Sequence, residues 1–209
     1  MTAITKGNEP ACLTQHRAAE HSFYHNYQGK DALRAALVAE QRGLCCYCMS
    51  RIVADSQKMK IEHWQSQSDP ATQHLQLTFG NLLGACKGGE GGSPDQQHCD
   101  TLKGNQSLMW NPATVAHAIE ARIRYQNNGE IRSNDPQFDS ELDIVIGLNI
   151  SILTNRRQGA LEAVLKWWQI KKPNKAQVRS QIAKYDNGVG TLEAFSPVAI
   201  WFLKRKLAA

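Results

Sequence analysis

Six cysteines constrain this chain more than any other feature of its 209 residues. Cys45-Cys46-Tyr47-Cys48 is a tight knuckle whose thiolates can grip one metal ion. Cys86 follows after 37 residues and Cys99 after 12 more. Four thiolates suit a closed, tetrahedral structural zinc site, and a long gap between ligand pairs is no obstacle to one. Cys45, Cys48, Cys86 and Cys99 are the expected ligands. Cys46 is an alternative to Cys45, and His98 to Cys99; Cys12 is set apart. Spacings of this kind fit metal better than disulfides where no secretory leader is evident.

Composition narrows the class. Hydrophobic residues make up 42% and charged residues 21%, which is enough apolar side chain to bury a core and too much for a disordered tail. No apolar run approaches the roughly 18–20 residues of a membrane span, and Met1 to Pro10 has no signal-peptide pattern, so a cytoplasmic protein is expected. The net charge of +5 is uneven. Residues 151–209 hold 11 Lys/Arg against 3 Asp/Glu, a balance that suits either a nucleic-acid or acidic partner or a solvated helical face.

Periodicity sketches the elements. Asp31 to Arg42 reads as a helix capped by Asp31 and stopped at Gly43. Lys58 to His63 alternates Met59 and Ile61 with charged residues and reads as a strand. Asn81 to Cys86 reads as a short helix, and Lys87 to Asp95, with four glycines, as a loop. Ile119 to Ser133 reads as a hairpin turning at Asn127-Asn128-Gly129. From Asp139 onward the chain reads helical. Leu161, Val164, Leu165 and Trp168 form the clearest stripe, and the last helix starts near Ser196-Pro197 and ends in Lys204-Arg205-Lys206.

Between the two cysteine sites lies Glu62-His63, at the end of the expected strand. Asn81 follows, and Cys99-Asp100-Thr101-Leu102-Lys103 closes the region. This order of CxxC, acid-His, Asn-Leu-Leu with a nearby Cys, and Cys-polar-x-x-Lys resembles the zinc-bound HNH endonucleases. The likeness continues through Trp110-Asn111-Pro112, the hairpin, Gly147-Leu148-Asn149, Leu153 and Arg156. Over roughly residues 30–170 the layout is similar to the HNH nuclease subunits of Septu anti-phage defence systems, the PtuB type, some relatives of which serve retrons.

The resemblance implies an α+β fold: a zinc-bound ββα-metal nuclease core in residues 1–110, then a hairpin and a mainly α-helical, partner-docking extension in residues 111–209. It implies a phosphodiester hydrolase with His63 as general base, and Glu62 and Asp100 as ligands of a catalytic divalent ion, most simply Mg²⁺. Asn81 would hold the loop that orients His63. Asp100 stands where HNH enzymes usually have His or Asn, so His98 and Asn105 are reserves for that position. Lys103 is either a phosphate contact or a solvent lysine. Trp64 is a packing residue or a base-stacking one. The implied partners are a PtuA-type ATPase and a nucleic acid, DNA before RNA, with no membrane. The alternative is a zinc-stabilised nucleic-acid- or protein-binding module without catalysis. A zinc deaminase is disfavoured, because its H-x-E and P-C-x-x-C signatures are missing.

Overall fold

The Met59/Ile61 alternation becomes strand β1, Met59–His63, in a computed structural model that describes residues 1–208. Its partner is the segment that reads as a helix from sequence. Leu82–Cys86 is strand β2, antiparallel to β1, with His63 opposite Leu82 and Met59 opposite Cys86. Every residue of β2 is buried, so its apolar run carries no period-2 signal, and such a run cannot be told from helix by pattern. Only Phe79–Asn81, just before it, makes a single 3₁₀ turn.

A two-stranded sheet leaves edge groups unpaired, and here side chains fill them. The Gln41 amide donates to the carbonyl of Gly84 (2.7 Å) and accepts from its N–H (2.6 Å), as a third strand would. Gln41 follows helix α2, Lys30–Glu40, which buries Leu33 and Leu37. Gly29, not Asp31, is the residue before this helix; Asp31 lies in its first turn and pairs with Arg34. Upstream, Ala11–Arg17 forms helix α1, which the sequence does not announce.

The glycine-rich loop leads from β2 to a short helix, α3, Cys99–Lys103. Gly88 and Gly89 sit at φ +54° and +74°, and a Cβ there would meet the His98 and Gln96 carbonyls at 2.0 and 2.5 Å. The loop therefore packs its backbone directly against the segment that enters α3.

The hairpin is shorter than its alternation suggests. Ile119–Arg122 is a helical turn, α4, and only Ile123–Tyr125 (β3) and Ile131–Ser133 (β4) pair. Ile119 and Ile123 are buried and Ala121 is exposed, because a spacing of four also fits a helix. Helices α5 (Pro136–Ser140), α6 (Ser151–Lys171), α7 (Lys175–Tyr185) and α8 (Ser196–Ala208) follow, with a π-helical turn at Glu141–Val145. Asp135 caps α5, and Asn174 and Gln177 form a capping box on α7.

The fold is thus mixed α+β with a mostly helical C-terminal region. One cluster of buried apolar side chains links Leu44, Ile52 and Leu83 to Ile131, Phe138, Leu161 and Leu203, so the two halves share a core. The Leu161/Val164 stripe of α6 packs inward. Leu161, Val164 and Leu203 are buried, and the Trp168 and Phe202 rings meet edge-on at 6.0 Å. Among the described residues no helix is long and apolar enough to cross a membrane.

Candidate metal centre and active site

The knuckle, the end of β2 and the start of α3 bring four sulfurs together. One ligand atom from each of Cys45, Cys48, Cys86 and Cys99 lies within 4.8 Å of all the others. Cys45 and Cys99 Sγ are 3.8 Å apart, and Cys48 and Cys86 Sγ 3.6 Å. Tetrahedral zinc with Zn–S bonds of about 2.3 Å requires sulfurs roughly 3.8 Å apart, so the donor set fits the ion.

Local geometry holds the thiols in place. The Cys45 N–H bonds the Ser50 carbonyl (2.9 Å), and the Ser50 N–H points at Cys48 Sγ (3.4 Å). Burial pushes the Cys45 thiol up, but hydrogen bonds from Cys46, Cys48, Cys86 and Cys99 outweigh it and leave its pKa well below the ordinary thiol value. Cys46 lies outside the group, and its buried thiol is pushed well up. His98 sits beside it, with Nε2 3.8 Å from Cys86 Sγ. Cys12 bonds the Tyr27 hydroxyl instead.

Glu62, His63, Asp100 and Asn105 line one cleft of about 330 Å³, rimmed by Arg34, Lys60 and Lys87. A larger cavity of about 390 Å³ between Tyr125, Trp201 and Lys204 contains none of the candidate residues. His63 is 8% exposed at the end of β1. Its Nε2 faces the Gln76 carbonyl at 3.1 Å, and a carbonyl can only accept, so Nε2 carries the proton and Nδ1 the lone pair. Burial pushes the imidazole down to about 4, so the ring is neutral above that pH. The Tyr24 ring packs against it edge-on at 4.4 Å.

Asn81 lies behind the cleft. Its Oδ1 accepts from the Gln65 N–H (2.7 Å), and its Nδ2 donates to the Gln65 carbonyl (3.0 Å) and the Leu75 carbonyl (3.3 Å). These bonds tie the loop after His63 back to the start of β2. Trp64 is buried and packs near Tyr47, their ring centroids 6.4 Å apart, which leaves no face for a base.

Lys103 is the main departure from expectation. It is neither a surface lysine nor a phosphate contact. It is fully buried, with Nζ 2.7 Å from Glu62 Oε1 and 3.2 Å from the His63 carbonyl. The Tyr47 hydroxyl donates to the same Glu62 oxygen (2.8 Å). Burial, and the Asp100 carboxylate within hydrogen-bonding reach, push the Glu62 carboxyl well up, against the pull of Lys103. Two neighbouring carboxylates at one cleft are hard oxygen donors, the chemistry a divalent cation such as Mg²⁺ prefers.

Lys103→Met is expected to destabilise the protein by about 3–5 kcal/mol, because it leaves Glu62 buried without its counter-charge. The double variant with Glu62→Gln should recover part of that loss. Urea denaturation of the four proteins of this cycle measures both. Equal stability of Lys103→Met and wild type would show that the pair does not hold the fold.

Sequence alone did not reveal Tyr47, nor the true position of Lys103. Lys60 carried a signal that could have found it: two residues before Glu62 on a strand, it shares that residue's face. Compared with known proteins, the chain matches no family model, and no curated protein matches it in sequence.

Proposed function

We propose that this chain is a zinc-stabilised module that takes a nucleic-acid backbone into the His63 cleft and, with a divalent cation, hydrolyses it as an HNH endonuclease. In this reading it is the effector subunit of an anti-phage defence complex, held by a PtuA-type ATPase. The supporting observation is the meeting of Glu62, His63 and Asp100 around one cation-rimmed cleft, on an antiparallel strand pair and helix joined by four cysteines. That order of elements is the one a ββα-metal nuclease core requires.

In this reading the roles are as follows. His63 Nδ1 takes the proton of the attacking water, while Nε2–H stays bonded to Gln76 and fixes the ring. The water oxygen bonds to phosphorus and the leaving oxygen departs with its electron pair. Asn81 holds the loop after His63, and Lys103 holds the Glu62 carboxylate and the His63 carbonyl. A Mg²⁺ ion held by Glu62 and Asp100 would supply positive charge for the phosphate and the leaving oxygen. Zinc at the cysteines would stay structural, because four protein ligands leave it no open position.

A second reading, a binding module without catalysis, also has support. Glu62 is 1% exposed and both its neighbours bond one oxygen, as in a structural network. The four-cysteine cluster by itself needs nothing more than this reading.

The test is Mg²⁺-dependent cleavage. The chain, co-expressed and purified with its genomic neighbour, is incubated with plasmid DNA and with tRNA. Cleavage that needs Mg²⁺ and is lost in Asp100→Ala is the expected result. Binding of either nucleic acid with no cleavage under any divalent ion would leave the binding module as the function.

A further inference from the structure

At the mouth of the cleft a carboxylate is held by two lysines, one on each oxygen. Lys60 Nζ is 2.9 Å from Glu90 Oε1, and Lys87 Nζ is 2.9 Å from Glu90 Oε2. Both lysines line the cleft beside His63 and Asp100. Lys60 reaches it from β1, on the face that also carries Glu62. Lys87 reaches it from the residue after Cys86. Glu90 arrives from the glycine-rich loop.

Lys60 does not depend on Glu90 for its position, and Lys87 is anchored through its backbone. Lys60 also donates to Thr101 Oγ1 (2.8 Å) and lies 3.4 Å from Asp100 Oδ2. The Thr101 hydroxyl in turn bonds the Lys87 carbonyl (2.7 Å), which couples the Lys60 ammonium to the Lys87 backbone through α3. Glu90, by contrast, has an exposed side chain on a tight turn, its N–H bonded to the Lys87 carbonyl (3.0 Å). The left-handed Gly88 and Gly89 give that turn its shape and aim Glu90 back at Lys87. The carboxylate can swing into solvent while the loop backbone stays put.

Two ammonium groups bracketing two oxygens of one anion is also how a phosphodiester's non-bridging oxygens are held. We propose that Lys60 and Lys87 form a phosphate-binding pair for the nucleic-acid backbone and that Glu90 fills this pair in the free protein, as an internal competitor that restrains binding. The proposal rests on reading the cleft as a nucleic-acid site. Exposed ion pairs are weak, so a polyanion can displace Glu90. While Glu90 stays in place, the lysines are neutralised locally and contribute little to affinity.

The experiment compares the zinc-loaded wild type with Glu90→Gln, binding a short fluorescent DNA duplex in magnesium-free buffer. Glu90→Gln is expected to bind about three- to tenfold tighter at about 50 mM salt, with the gain fading towards 200 mM. The plot of log affinity against log salt should steepen by roughly 0.9 for each further phosphate that the lysines neutralise. In a Lys60→Gln/Lys87→Gln background the same change should give no gain. Thermal melts report whether that background folds; if it does not, Lys87→Gln alone, on a half-buried side chain, replaces it.

Equal affinity and slope for wild type and Glu90→Gln would overturn the proposal. So would a gain that persists without the lysines, which would be a general charge effect. No duplex binding by either protein would overturn both this proposal and the reading of the cleft. Duplex binding with the expected Glu90 effect, but no Mg²⁺-dependent cleavage, would sink the nuclease reading and leave the phosphate pair standing.

Discussion

Cys48→Ser is expected to yield protein that retains no zinc and does not fold, whereas Cys46→Ser should keep about one zinc equivalent and its fold. The two residues are close in sequence and both buried, yet only Cys48 belongs to the four-sulfur group. That group joins the knuckle, the end of β2 and the start of α3, which are far apart along the chain. Structural zinc contributes about 10–16 kcal/mol of apparent binding free energy in small zinc domains. A domain's whole stability is about 5–15 kcal/mol, so losing the ion removes more than such a module can spare. Elemental analysis of each variant and thermal melts with and without a chelator measure both effects. A folded, metal-free Cys48→Ser protein would sink the prediction, and so would loss of zinc from Cys46→Ser.

The cysteine site was legible because metal ligation is written in residue type and spacing. The sulfurs that the spacing selects are the ones the fold brings together, and choosing between Cys45 and Cys46 needed only the turn geometry. β1 was legible because one of its faces is charged and the other apolar. β2 was not: with both faces covered, its apolar run lost the alternation that marks a strand. The hairpin was overextended because Ile119 and Ile123 satisfy the spacing of a helix as well as that of a strand.

Lys103 was misjudged for a different reason. Lysines are almost never fully buried unless paired, and its partner, Glu62, is 41 residues away in sequence. Local pattern cannot show such a partner. The same limit hid the inward fate of the Leu161–Trp168 stripe, since an apolar face reads alike whether it meets α8 or another protein. Truncation from residue 196 would therefore remove core residues Val198, Ala199 and Leu203.

The remaining large effect is expected at His63. His63→Ala should lower cleavage by at least the ~10²–10⁴-fold typical of general acid-base catalysis, while leaving fold and duplex binding intact. The fold should survive because the side chain makes one hydrogen bond, to the Gln76 carbonyl, worth about 1 kcal/mol. The structural bonds at this residue run through its backbone: the carbonyl takes Lys103, and the pairing with Leu82 continues β1 to its end. A second variant, His63→Gln, separates positioning from proton transfer. Its amide can still donate to the Gln76 carbonyl, but it offers no basic nitrogen to the water. If His63 only props the loop, His63→Gln should recover much of the activity; if it is the base, both variants should be equally inactive. Turnover with Mg²⁺ and duplex affinity without it are measured on the same preparations. Unchanged turnover in His63→Ala would remove His63 as the base, because cleavage would then run without its ring nitrogen.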